Sequence, residues 1–135
     1  MNEFLADLKL AAPVSKQDLD AAEAALGFAL PEDFKIFMSA YGAGEGFIGQ
    51  HYIILWSVSE LAQFNSEYEF PIYAPRFVAF ASNGGGEAFA FDTRETPPPI
   101  VEVPFIGMSH EDGKRVADSF IHLLHRMSDT PESLF

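Results

Sequence analysis

The amino-acid sequence predicts an α+β fold: a central antiparallel or mixed sheet, with helices at both chain ends packed on it. Three observations predict it. Apolar residues recur at three- and four-residue spacing towards the two ends of the chain, the period of an amphipathic helix. Short aromatic and β-branched runs bounded by Gly and Asn fill the middle, which is strand chemistry. The chain is 135 residues long and 48% hydrophobic, with 14% aromatic residues. That is enough apolar material for one core without disulfides or metal, so residues 1–135 read as a single domain.

The elements follow in order. A first short helix is expected over Asn2–Leu10, ending before Pro13. Ser15 is a good N-cap with Asp18 three residues on, so the next helix runs Lys16–Leu26, with Leu19, Ala22 and Leu26 on one face and Gly27 beyond its end. Pro31 suits the first turn of another helix, and Glu32 and Asp33 complement its dipole. Phe34, Phe37, Met38 and Tyr41 form its buried stripe, and Gly42 stops it. Gly44–Gly49 reads as a flexible helix-to-strand loop. Tyr52–Trp56 is a strand, and Ser57 with Glu60 forms a capping box for a helix reaching about Tyr68. Arg76–Ser82 and Glu87–Asp92 pair across the Asn83–Gly86 turn, with Asn83 tolerating the left-handed region. Phe89 and Phe91 alternate with Ala88 and Ala90, which places both rings on one face. Ile100–Phe105 is a further strand, and Lys114–Met127 the last helix, burying Val116, Phe120, Leu123, Leu124 and Met127.

Charge excludes whole classes of function. With 20 acidic and 8 basic residues the formal net charge is −12. Non-specific nucleic-acid binding depends on cations that neutralise phosphates, and an anionic membrane repels such a chain. There is no cysteine, which removes disulfides, thiolate zinc sites and thiol nucleophiles. Met1–Leu10 carries Glu3 and Asp7 and lacks a basic or apolar signal region, so a cytoplasmic protein is expected. The charge is uneven. Residues 36–113 hold 10 acids against Arg76 and Arg94 alone, and no base lies between Lys35 and Arg76. That interval holds all four tyrosines and Trp56, the one tryptophan. Tyr, Trp and acid together suit a surface facing a basic partner. They equally suit a folded core with an acidic, solvated face.

The motifs carry no catalysis. Gly44–Gly49 matches G-x-G-x-x-G, but it follows a helix and precedes a strand, the reverse of a dinucleotide site, and Glu45 would face the phosphates. Gly84–Gly86 lacks the Lys and Ser/Thr of a phosphate loop. His122 and His125 share a helix without a third ligand, and His51 and His110 fall in loops. Ser109–Asp112 has triad residue types, but adjacent in sequence. No catalytic residue, cofactor or metal site is assigned.

The order of landmarks resembles the SUKH superfamily, a group of bacterial immunity proteins that includes a fungal cell-wall synthesis regulator. The resemblance runs from about residue 16 to 127. It is carried by Leu30-Pro31-Glu32-Asp33-Phe34, Phe37, Tyr41-Gly42, the Gly44–Gly49 segment, Trp56-Ser57, Phe77–Ala81, the Asn83–Gly86 turn, Phe89–Asp92, Ala117–Phe120 and Leu123-Leu124. Glu87 after the glycines and the triple proline Pro97–Pro99 depart from it without contradicting the fold. It implies a non-enzymatic protein that neutralises a cognate toxin, often a nuclease, by occlusion. A scaffold or regulatory module with an endogenous partner is the alternative. Candidate partner-binding residues are Glu45, Glu67, Tyr68, Glu69, Tyr73, Glu87 and Asp92. Trp56 ends an apolar run and reads as core, and Asp92 also suits an Asx turn at a strand end.

Overall fold

A computed structural model of the chain describes residues 5–129. Along them run β1 (Leu8–Leu10), α1 (Lys16–Leu26), α2 (Glu32–Ala40), β2 (Gly44–Ile48), β3 (His51–Leu55), a 3-10 turn (Val58–Glu60), α3 (Leu61–Glu67), α4 (Phe70–Tyr73), β4 (Phe77–Ser82), β5 (Glu87–Asp92), β6 (Ile100–Pro104), β7 (Lys114–Ala117) and α5 (Phe120–Asp129). Each strand pairs antiparallel with the next, giving one seven-stranded sheet in chain order. The α+β class therefore holds, with an antiparallel sheet.

Local chemistry accounts for most of the elements. The N–H of Asp18 donates to Ser15 Oγ and starts α1, and Gly27 ends it at φ 66°, a left-handed conformation that glycine adopts without steric cost. Phe34, Phe37 and Met38 form the buried stripe of α2. In the β4–β5 turn, Asn83 Oδ1 accepts the N–H groups of Gly85 and Glu87. The left-handed residues there are Gly84 and Gly86, not Asn83.

Four element assignments need correction. Residues 2–4 of the helix expected over Asn2–Leu10 lie outside the described residues. The rest is no helix: Leu8–Leu10 forms β1, with Lys9 exposed between two half-buried leucines, a period of two rather than 3.6. The Gly44–Gly49 loop is instead β2 and its turn to β3. Glycine is required there by close approach. A Cβ at Gly46 would lie 2.1 Å from Asp7 O, and one at Gly44 2.0 Å from Lys9 O. We expect Gly46→Ala to detach β1, seen as fast amide exchange at Ala11, whose N–H donates to Ala43 O at the end of β1, with the remaining sheet still protected. Protection of β1 equal to wild type would refute this. Ser57 makes no side-chain cap, and the segment after it opens as a 3-10 turn before α3.

The long terminal helix divides in two. Lys114–Ala117 pairs with β6 as β7, and α5 starts only at Phe120. Val116 fits a helical period as well as a buried strand position, so spacing alone misled. The boundary is chemical: Ser119 Oγ accepts the N–H of His122, as an N-cap does. The Asp33 carboxylate adds a second cap from far along the chain, accepting the N–H groups of Ile121 and, within α2, Phe34.

The core is aromatic. Phe34 of α2 lies edge-on to Phe80, Phe91 and Phe120, with centroids 5.6, 5.5 and 5.1 Å away. Phe80 and Phe91 stack at 4.4 Å on adjacent strands. The pairing of Phe91 with Ile100 and Phe89 with Glu102 keeps Phe89 and Phe91 in one alternation, as expected. Ala88 and Ala90, on the opposite face, are also fully buried, so both faces are covered there. Asn65 of α3 completes the sheet with its side chain. It accepts the N–H of Ala79 and donates to the carbonyls of Ala79 and Leu61, at 2.9, 2.9 and 2.8 Å. Among the described residues no buried side-chain nitrogen or oxygen lacks a partner.

Candidate functional site

The alternation of β3 builds a second, partly open apolar face. Ile53 and Leu55 are buried, while Tyr52 and Ile54 on the other side are only half-buried. One step further along the same alternation stands Trp56. Its ring meets Phe64 at 5.2 Å, Tyr68 at 5.9 Å and Phe105 at 6.4 Å, and Tyr68 lies 4.3 Å from Phe105. At the other end Phe47 of β2 stands opposite Tyr52, ring centroids 4.9 Å apart. The Asn83–Gly86 turn closes on this row. A Cβ on Gly84 would come within 3.3 Å of the Tyr52 ring, and the N–H of Phe105 donates to Gly86 O at 3.0 Å.

One aromatic row thus runs from Phe47 through Tyr52, Ile54 and Trp56 to Tyr68 and Phe105. Much of its margin is open: Phe47 is 51% exposed, Tyr68 45% and Ile106, beside Phe105, 92%. Ile72 and Tyr73 of α4 follow at 67% and 57%. Exposed apolar side chains suit an interaction surface where they are gathered, as Phe47 with Tyr52 and Tyr68 with Phe105 are, whereas single ones mean little. Trp56 itself is buried, as its place at the end of an apolar run suggested.

One carboxylate is bonded to the row, and two more adjoin Tyr68 in the chain. Tyr52 donates its hydroxyl proton to Glu45, and that bond, then partial burial, pushes the Tyr52 pKa up. Glu67 and Glu69 flank Tyr68, and all three are exposed. Glu67 accepts from Gln63, and Glu69 sits at φ 64°. Tyr73 is exposed on α4. The structure therefore places Glu45 and Tyr68 on this row, while Glu67, Glu69 and Tyr73 are exposed close to Tyr68 in the chain. Glu87 lies past the glycine turn, half-buried, and shares the Asn83 amide with Glu102. Burial and then the charge of Glu87 push the Glu102 carboxyl up, against the Asn83 hydrogen bond and Lys114. Asp92 has a structural place. It is buried, it accepts the Arg94 N–H, and the Arg94 guanidinium grips both its oxygens at 2.9 Å. Burial would raise the Asp92 pKa, but the hydrogen bonds and charge of Arg94 hold it below the usual carboxylate range.

Sequence reasoning missed Phe47 and Phe105 as members of this row. The signal available was the Tyr52–Ile54–Trp56 alternation. What joins it to Phe105 is a contact 49 positions away in the chain, which no local pattern encodes.

The other motifs resolve into local structure. Ser109 and Asp112 bond one another across a turn, and the Ser109 hydroxyl donates to the Asp112 carboxylate. His110 turns away from them, accepting the Arg76 N–H and lying 4.8 Å from the Phe77 ring. His51 belongs to β3 rather than a loop. His122 accepts the N–H of Asp118. Among the described residues no three His, Asp or Glu side chains gather as a metal site. A hollow of 530 Å³ between α1 and α2 mixes Lys16 and Lys35 with Asp20 and Glu32, so it favours neither sign of charge. None of the described helices is long and apolar enough to cross a membrane.

A family model described as the SMI1 / KNR4 family (SUKH-1) matches residues 13–126. No curated protein matches the chain.

Proposed function

The chain belongs to the SMI1 / KNR4 family (SUKH-1), and on that premise we propose that it is a cytoplasmic immunity protein that binds a cognate, basic protein toxin and neutralises it by occlusion. The observation that carries this reading is the partly exposed aromatic row, with Glu45 bonded to it and Glu67 and Glu69 exposed beside Tyr68 in the chain, in a stretch with no Lys or Arg between Lys35 and Arg76. An aromatic surface supplies contact area, and fixed negative charge steers a basic partner into place. A toxin that acts on nucleic acid must present cations to phosphate. An acidic protein that covers those cations removes the activity without chemistry of its own, so no enzymatic step is assigned to this chain.

The test is growth rescue and pull-down with the toxin encoded beside this chain's gene. Rescue with a stable complex supports immunity. The absence of both rescue and binding overturns it, and a gene position with no toxin beside it favours the regulatory or scaffold module. Steering has its own prediction. The double variant Glu67→Lys/Glu69→Lys should slow association about tenfold at low salt and flatten its dependence on ionic strength. An association rate unchanged across ionic strength refutes steering through these residues.

A further inference from the structure

We propose that the partner anchors on the Tyr68 end of the aromatic face through an arginine, whose guanidinium lies on the Tyr68–Phe105 pair and is held by Glu67 and Glu69. This rests on the protein-binding reading above and names the chemistry of the partner.

Three observations converge on that spot. The first is aromatic area left open to solvent: Tyr68, close against Phe105, is 45% exposed, with Ile106 at 92% next to it. The second is charge. Glu67 and Glu69 precede and follow Tyr68 in the chain, both are exposed, and neither forms an ion pair with a described residue. A cation is therefore the complement that this surface lacks. The third is the backbone of Glu69. It is the one non-glycine residue at positive φ among the described residues. Its N–H and C=O close the turn between α3 and α4, bonding Ser66, Ile72 and Tyr73. Glycine would make that turn without the steric cost a side chain meets there. The strain is held at an exposed acid whose carboxylate bonds no described residue. Strained positions collect at functional sites, and here the side chain, not the backbone, is what glycine would remove.

The chemistry selects arginine over lysine. A guanidinium is planar, weakly hydrated and able to stack on an aromatic ring while its edge donates to carboxylates. An ammonium is a hydrated point charge that gains less from the ring. Arginine is also enriched at the centres of protein interfaces.

The experiment is a titration of the intact chain with a blocked tri-arginine peptide and its tri-lysine counterpart, followed by backbone amide shifts and Trp56 fluorescence. Trp56 lies 5.9 Å from Tyr68, so it reports on this end of the face. The expected result is tri-arginine binding about fivefold tighter than tri-lysine, with shifts centred on residues 67–70 and 105 and a change in Trp56 emission. Glu69→Gly should keep or raise the melting temperature while weakening tri-arginine binding about fivefold. Equal affinity for the two peptides overturns the proposal. So do shifts centred elsewhere, or a Glu69→Gly variant that binds as well as wild type. Toxin rescue that survives Glu69→Gly combined with Tyr68→Leu also overturns this anchor, while leaving the immunity reading intact. Localised tri-arginine binding by a chain that fails to rescue supports the anchor and counts against immunity.

Discussion

Phe34→Ala is expected to destabilise the protein by about 4 kcal/mol, the usual range for emptying a buried phenylalanine site. Phe34 is fully buried, and its ring touches three others from β4, β5 and α5. Removing it leaves a cavity whose walls are themselves rigid aromatic rings on three separate elements. Such walls collapse poorly, which places the cost at the upper end of the range. The lost edge-to-face pairs add to it, at about 0.5–1.5 kcal/mol each in favourable cases. Urea unfolding with an unchanged m-value would measure the loss as a shift of midpoint. A loss below about 1.5 kcal/mol would mean that the α2–sheet contact is looser than the ring geometry indicates. Phe34→Leu should cost less than half as much, because it restores most of the volume.

Asn65→Leu is the second large effect and has a different cause. The shape is nearly kept, so almost no cavity forms. What disappears is the partner of the Ala79 N–H and carbonyl, both within a fully buried strand residue. β3 pairs with β4 only at Ile54–Ser82 and Leu55–Ala81, so no neighbouring strand takes over at Ala79. Leaving two buried backbone groups unbonded costs about 3 kcal/mol in total. Hydrogen exchange separates this loss from a packing defect. Protection should fall first at Ala79 and along β4, before β5 and β6. If Asn65→Leu were as stable as wild type, water or a shifted β3 would have to satisfy Ala79, and the role assigned to Asn65 would fail.

Much of this arrangement was legible in the sequence because its signals are local. Ser15 and Gly27 bracket α1 by capping chemistry that needs no tertiary context. The Phe34–Phe37–Met38 stripe declares its own period, and the Asn83–Gly86 turn lies between two runs of alternating residues. The failures share a physical reason. β1 and β7 are short strands of three and four residues, too short to display a period. Lys114–Ala117 therefore read as part of the helix beyond it, although Ser119 was available as a cap. Gly44 and Gly46 looked like loop residues. They are glycine because β1 crosses so near them, and β1 is the strand that was missed. The proposed face was half visible. Tyr68 and its flanking acids stood out by composition, and so did Glu45. The row that links them depends on how β3, the glycine turn and residue 105 meet in space.

The meander has a consequence for how the chain is made. Each strand finds its partner in the strand synthesised just before it, so pairing can advance as the polypeptide emerges from the ribosome. Even the widest strand connection, from β1 to β2, is bridged by α1 and α2, which can form on their own caps. The exception is α5. Its first turn is secured by Asp33, 88 positions earlier, so that bond can close only after residue 121 has appeared. A nascent chain halted before residue 120 would hold a nearly complete sheet with Phe34, Phe37 and Phe80 uncovered on the side that Phe120 otherwise seals. Docking of α5 thus closes the core: until it docks, the chain carries a sticky aromatic surface, and chaperone engagement should end at that step.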